Sequence, residues 1–197
     1  MEANLAMDEY IVKRQKAQRN LVWLGTLSIV MLFAGLTSAY VVRRGAGDWF
    51  SIVLPQVFWI STAVIIFSSI TMNLALWSFR KNKLRAGVIF LGITFFLGLT
   101  FAWCQWQGWG VLIDNGIHLT SPKGQTSLIS GSYIFLLTAL HLAHVAGGII
   151  ALLTSFIKSL MGRYSATNVH GLRLSAIYWH FLDALWIYLF VFLTIYK

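Results

Sequence analysis

The stretch Tyr178-Trp179-His180-Phe181-Leu182-Asp183 sits inside Leu174–Tyr196, a run with no other charged residue. Roughly twenty residues of such apolarity suffice for a helix to cross the hydrocarbon of a bilayer. His180 and Asp183 are three residues apart, so on a helix they share a face. An acid and a histidine at membrane depth are costly unless they find partners. Upstream, His141 and His144 repeat the same spacing in a second apolar segment. Two helices that each offer a polar pair point to one buried polar cluster between them.

Composition extends this reading to the whole chain. Hydrophobic residues make up 58% and charged residues only 11%, with a mean hydropathy of +0.72; a soluble domain is about a quarter charged. Of the acids, Glu2, Asp8, Glu9, Asp48 and Asp114 lie outside the apolar runs or at their ends, and only Asp183 lies well inside one. The protein is therefore read as an integral membrane protein. Its formal charge of +9 describes loops, and nucleic acid is not expected as a partner. The single cysteine, Cys104, precludes an intramolecular disulfide and a thiol-rich metal site. No cleavable signal peptide is evident, because the first twenty residues carry charges of both signs and the following apolar run is too long for one.

Charge-free runs predict an all-α bundle of five transmembrane helices, near 21–42, 51–79, 86–113, 124–157 and 174–196, forming one membrane domain over residues 1–197. Pro55 falls near the start of the second span, where a first helical turn tolerates it. Pro122 falls between the third and the fourth. With the N-terminus inside and the C-terminus outside, the inner segments hold Lys13, Arg14, Lys16, Arg19, Arg80, Lys81, Lys83, Arg85, Lys158, Arg163 and Arg173. The outer ones hold Arg43, Arg44, Lys123 and Lys197. Eleven cations against four favour that orientation. Small residues four apart, Gly35/Ala39, Gly98/Ala102 and Ala143/Gly147, are expected to pack inside the bundle, with a dimer interface as the alternative. Trp23, Trp49, Trp77, Trp103, Trp106, Trp109 and Trp186 are expected mostly in interfacial belts.

The polar residues leave several chemistries open. His141 and His144 are candidate metal or haem ligands, and with His180 and Asp183 they form a three-histidine, one-carboxylate set that suits a first-row metal. The same four can instead hydrogen-bond one another and tie the fourth span to the fifth. Asp183 with His180 can also start a proton relay, although one acid in five spans makes a poor wire. His118 and His170 are placed in outer and inner loops, and the Ser61-Thr62 and Ser68-Ser69 pairs with Thr71 are expected to back-bond or bridge to neighbours. No phosphate-cradling glycine loop, nucleophile elbow or zincin motif is present. On chemistry alone the chain reads as a supporting subunit, with no catalytic, cofactor-binding or metal residue assigned.

The order of these features resembles subunit III of the haem–copper oxidases, the cytochrome c and quinol oxidases, in a short five-helix form. Tyr178-Trp179-His180-Phe181-Leu182-Asp183 with Trp186 is similar to the family's YWHFVD-x-x-W. Thr138-Ala139-Leu140-His141-Leu142-Ala143-His144-Val145 with Gly148 is similar to its TGFHGLHV-x-x-G. Pro55, Trp59, Ser61-Thr62 and Ser68-Ser69 in the second span are collinear with the family, as are Leu97-Gly98, Phe101, Gln105 and Trp109 in the third. Three departures stand out: Ile29, Gly108 and Arg173 occupy positions where the family usually has glutamate.

The resemblance implies a non-catalytic subunit of a respiratory terminal oxidase whose complex reduces oxygen and translocates protons. It implies direct packing on oxidase subunit I, with subunit II in the same complex and a larger respiratory supercomplex compatible. Haem and copper are then in partner subunits, with none in this chain. The subunit would sustain proton uptake and bind phospholipid, with Arg80, Lys83, Arg85 and Arg173 as candidate headgroup contacts. The setting implied is a bacterial cytoplasmic membrane. His141, His144, His180 and Asp183 are then expected to form a structural polar cluster. Competing readings are a subunit III-like protein of a nitric oxide reductase system, a self-contained membrane haem or metal protein, and a small transporter. The electron donor, cytochrome c or quinol, binds elsewhere and is not legible here.

Overall fold

The computed structural model describes residues 2–45, 52–117, 129–166 and 168–196. Within them the chain forms α1 (Glu2–Arg44), α2 (Gln56–Arg80), α3 (Leu84–Asp114), α4 (Ile129–Leu160) and α5 (His170–Ile195). All five are long and apolar enough to cross a membrane. Their ends have local causes. Pro55, at φ −56°, caps α2 from outside, so this helix begins at Gln56 and not at the expected residue 51. Helix α2 ends in a Schellman turn, with Lys83 N–H donating to Ser78 O at 2.9 Å and Asn82 taking the left-handed conformation at φ 59°. Gly116 and Gly162 end α3 and α4 in the same way, at φ 79° and 67°, where a side chain would be strained.

Two boundaries differ more. The first helix takes in most of the charged N-terminus, because no proline or glycine interrupts residues 2–24 and the charged residues there are good helix formers. His170, expected in a loop, is the first residue of α5, which starts four residues earlier than its charge-free run because Gly171 and Arg173 do not break a helix end. His118, Pro122, Trp49 and residues 124–128 lie outside the described residues.

Helices α2, α3, α4 and α5 close into a four-helix ring, each packed on the next and α5 back on α2. Helix α1 lies outside the ring and touches only α4 and α5 among the described residues. It runs parallel to α5: Gln18 Oε1 meets His170 Nε2 at one end (3.2 Å), and Tyr40 Oη donates to Tyr196 O at the other (3.0 Å). Between them Thr37 and Tyr188 share a 3.1 Å hydroxyl bond. Residues 2–17 therefore continue α1 beyond the start of α5 by about 24 Å, at 1.5 Å per residue. At the far end, the Arg44 guanidinium lies 5.7 Å above the Tyr196 ring, which gives one of the two arginines that run against the charge trend an aromatic seat.

The ring's core is organised by two tryptophans seven residues apart, a spacing that keeps both on the inner face of α5. Trp179 and Trp186 are each 1% exposed. Trp186 is thus a core residue and not part of an interfacial belt; it packs against Phe101 of α3 and Phe58 of α2, with centroids 5.2 and 5.9 Å away. Trp179 fits between two glycines: a Cβ at Gly98 would lie 2.8 Å from its ring, and one at Gly148 3.1 Å from it. Of the three small-residue pairs expected inside, Gly98/Ala102 packs there. Gly35/Ala39 and Ala143/Gly147 face outward, and on α4 Gly148 makes the close approach in place of Gly147.

Candidate functional site

The polar side chains inside the ring mostly face α2. Trp179 Nε1–H donates to Ser68 Oγ at 2.6 Å, and Trp186 Nε1–H to Thr62 Oγ1 at 3.0 Å. Gln105 Nε2–H of α3 donates to Ser61 Oγ at 3.2 Å, and Thr71 of α2 bonds Thr94 of α3 at 2.8 Å. Each of these hydroxyls lies on α2 or faces it, so the second span presents a hydroxyl face to its neighbours. Small hydroxyls suit this work because in a helix they return their own proton to a backbone carbonyl, as Ser61 and Thr62 do to Phe58 O, and still accept a bond from outside.

His180 belongs to this seam. Its Nδ1 lies 2.7 Å from Ser69 Oγ of α2 and 3.9 Å from Asp183 Oδ2 one turn along. The Asp183 side chain is 4% exposed and that of His180 30%. Ser69 also stands beside Asp183, but neither carboxylate oxygen is in hydrogen-bond geometry with any group. A serine, a histidine and an aspartate side by side suggest a nucleophilic triad, and the geometry rejects it. A triad needs the acid on one ring nitrogen and the hydroxyl on the other; here both face Nδ1, and Nε2 has no partner.

The α4 histidines sit elsewhere. His141 is fully buried, its ring 5.2 Å from that of Trp186 and 6.0 Å from Phe101, with neither nitrogen hydrogen-bonded. His144 turns away from it toward α1, where its ring meets Phe33 edge-on at 5.9 Å and its Nδ1–H donates to Leu140 O at 2.7 Å. The expected single hydrogen-bonded cluster of His141, His144, His180 and Asp183 is therefore not what the side chains form. Residues three apart on a helix point about 60° apart, enough to send His141 into the core and His144 to the α1 interface. Spans four and five are tied instead by Ser155–Ser175 (2.8 Å) and by Tyr178 Oη–H donating to His144 O (3.2 Å). Among the described residues no three of His, Cys, Asp and Glu converge on a metal-sized space. Ser69, the actual partner of His180, was not singled out by spacing; the hydroxyl-rich Ser68-Ser69 pair was the available signal.

The candidate headgroup contacts also divide. Arg80, Lys83 and Arg85 surround the α2–α3 turn, where Lys83 Nζ lies 5.4 Å from the Trp77 ring. Arg173 is on the α5 side, in a recess of about 240 Å³ lined by Lys16 and Arg19 of α1 and by His170, with Val12 and Leu174 as apolar walls. The missing glutamates have local counterparts. At Gly108 the Phe58 ring occupies the space a side chain would need. Ile29 packs against the core, and Arg173 adds to a cationic recess.

A family model described as "Cytochrome c oxidase subunit III" matches residues 50–197. A "Probable quinol oxidase subunit 3" of Staphylococcus saprophyticus is 28% identical over 173 residues, 85% of this chain and 83% of that one. A "Probable cytochrome c oxidase subunit 3" of Mycobacterium bovis is 30% identical over 176 residues, 86% and 82% of the two chains. A "Cytochrome bo(3) ubiquinol oxidase subunit 3" of Buchnera aphidicola is 30% identical over 181 residues, 88% and 89%.

Proposed function

Because the chain belongs to the cytochrome c oxidase subunit III family, with the role of subunit III of a terminal oxidase, we propose that it works as a packing subunit. In this reading it docks on subunit I within a complex that also holds subunit II, and those partners carry the haem and copper. It supports proton uptake there through stability and lipid, contributing no catalytic group. The membrane is a bacterial cytoplasmic membrane, with the N-terminus inside. The observation that carries the reading is how the polar side chains are used. Trp179, Trp186, Gln105 and His180 are committed to hydroxyls of α2, which makes them cross-braces. His141, His144 and His180 are too dispersed to serve as a haem or metal ligand set.

Lipid binding is assigned to the recess of Lys16, Arg19, His170 and Arg173. Three permanent cations converge there, next to apolar walls and at the end of a span where headgroups lie. Arg80, Lys83 and Arg85 serve as a second, more exposed headgroup contact. The orientation draws support from the same placement, since the basic α2–α3 turn and this recess share one end of the bundle.

The test is a reduced-minus-oxidised optical spectrum on material purified through this chain in mild detergent. Haem absorption that remains with a larger partner after this chain is stripped off is the expected result. Haem that follows the isolated chain would overturn the proposal and make His141, His144 and His180 the ligands to examine.

A further inference from the structure

The depth of Asp183 limits the charge it can carry. It stands thirteen residues after the first residue of α5 and twelve before the last, about 18–20 Å along the helix from either end. Its side chain is 4% exposed, and neither oxygen is in hydrogen-bond geometry with any group among the described residues. The basic residues of the two helices at this seam are remote. Arg173 is ten residues from Asp183 along α5, and Arg80 is eleven from Ser69 along α2, each about 15 Å or more. No titratable residue precedes Arg80 on α2. The other titratable groups of α4 and α5 are turned elsewhere: His141 to the aromatic core, His144 to α1, Tyr178 to α4 and Tyr188 to α1. An ionised Asp183 beside a neutral imidazole would leave a lone charge in the middle of the hydrocarbon, which is the costly case. The pair is neutral only as carboxylic acid with imidazole, or as carboxylate with imidazolium.

Ser69 connects the two. Ser61, Thr62 and Thr71 of α2 spend their protons on carbonyls of their own helix. Among the described residues the Ser69 hydroxyl bonds His180 alone, with Oγ 2.7 Å from Nδ1, and it also stands beside Asp183. A hydroxyl donates one bond while accepting another, so it can pass a proton on without gaining charge.

We propose that Asp183, Ser69 and His180 form a proton-holding site in the middle of the membrane. The proton rests on the Asp183 carboxyl, which closes on Ser69 Oγ, while the Ser69 hydroxyl donates to His180 Nδ1. In the transfer the carboxyl O–H bond breaks as its proton bonds to Ser69 Oγ, and the Ser69 O–H bond breaks as its proton bonds to Nδ1. One proton has then passed from acid to imidazole, the hydroxyl is regenerated, and the net charge is unchanged. The uncharged arrangement is the resting one, because hydrocarbon solvates separated charges poorly. His180 is the outlet, since its side chain is 30% exposed and that of Asp183 only 4%. The site stores a proton and is not a path across the membrane. It does not depend on the oxidase-subunit reading, which assigns these residues only a bracing role.

The experiment is infrared difference spectroscopy at neutral pH on the complete complex, purified through a tag on this chain. Subtracting the Asp183→Asn spectrum from that of the unaltered protein is expected to reveal the C=O stretch of a protonated carboxyl, displaced to lower frequency in D2O. Ser69→Ala, measured on the assembled fraction, should keep this band and move it to higher frequency, because the carboxyl loses its acceptor. Thr71→Val, which removes a neighbouring hydroxyl that faces Thr94 of α3, should leave the band in place. Carboxylate bands without a carboxyl band would overturn the site, and so would a band that Ser69→Ala does not move. Asn copies the shape of a neutral aspartic acid, so failure of Asp183→Asn to assemble would overturn it as well.

Discussion

Trp179 offers a sharp test of how the bundle is packed, because it is held from three sides. Its indole N–H is tied to Ser68 at 2.6 Å, and Gly98 and Gly148 approach its ring. In Gly98→Ala the new Cβ would lie 2.8 and 3.1 Å from the outer ring carbons. The ring cannot back away without meeting Gly148 or stretching the Ser68 bond. Overpacking of this kind costs about 1–3 kcal/mol, and a loosened buried hydrogen bond adds about 1 kcal/mol. Replacing glycine by alanine inside a helix returns about 1 kcal/mol, so the net expectation is a loss of about 1–3 kcal/mol.

Gly110 lies on the same helix with nothing within 4 Å of its hypothetical Cβ. Gly110→Ala should therefore be neutral or stabilising, by up to about 1 kcal/mol. The two variants are compared by equilibrium unfolding of the purified protein in mixed micelles. The decisive control is Gly98→Ala combined with Trp179→Phe, which removes the outer ring. The Gly98 penalty should shrink there, giving a coupling energy of about 1 kcal/mol or more. If both alanines shift stability in the same direction, or if the penalty persists undiminished beside phenylalanine, the proposed packing is wrong.

Ser69→Ala removes the group bonded to His180 Nδ1 and should destabilise the bundle by about 1–3 kcal/mol, measured by the same unfolding assay, with Ser69→Thr largely retaining stability. Gly108→Glu, which supplies the acid usual in the family, should sharply lower accumulation of folded protein, because the Phe58 ring fills that space; Gly110→Glu, one turn-half away, should be far milder by fluorescence-detected size exclusion. Replacing Lys16, Arg19 and Arg173 together with alanine should deplete anionic phospholipid from the purified protein in lipid mass spectrometry while zwitterionic lipid is retained. Equal loss of both classes would refute the headgroup recess.

What the sequence alone determined was the solvent and the number of crossings. Charges are so costly in hydrocarbon that long charge-free runs have to be spans, and all five runs emerged as helices. The family also followed from sequence, since the histidine-bearing motifs of the fourth and fifth spans are specific and the family match covers them. Composition was less informative about where helices stop. Charged residues form helix as readily outside lipid as apolar ones do within it, so α1 runs on to Glu2 and α5 begins at His170.

Only the tertiary structure decided which side chains meet. Spacing predicts which residues share a face of one helix, but not which neighbour that face opposes. His141 and His144 were legible as a pair, yet the turn between them sends one into the aromatic core and the other toward α1. Trp186 has the composition of an interfacial residue and becomes the centre of the core because α2 and α3 close over it. The pairing of His180 with Ser69 joins residues 111 positions apart. Such a contact exists only once the ring of four helices has closed and set their relative rotation, and no local pattern encodes that rotation.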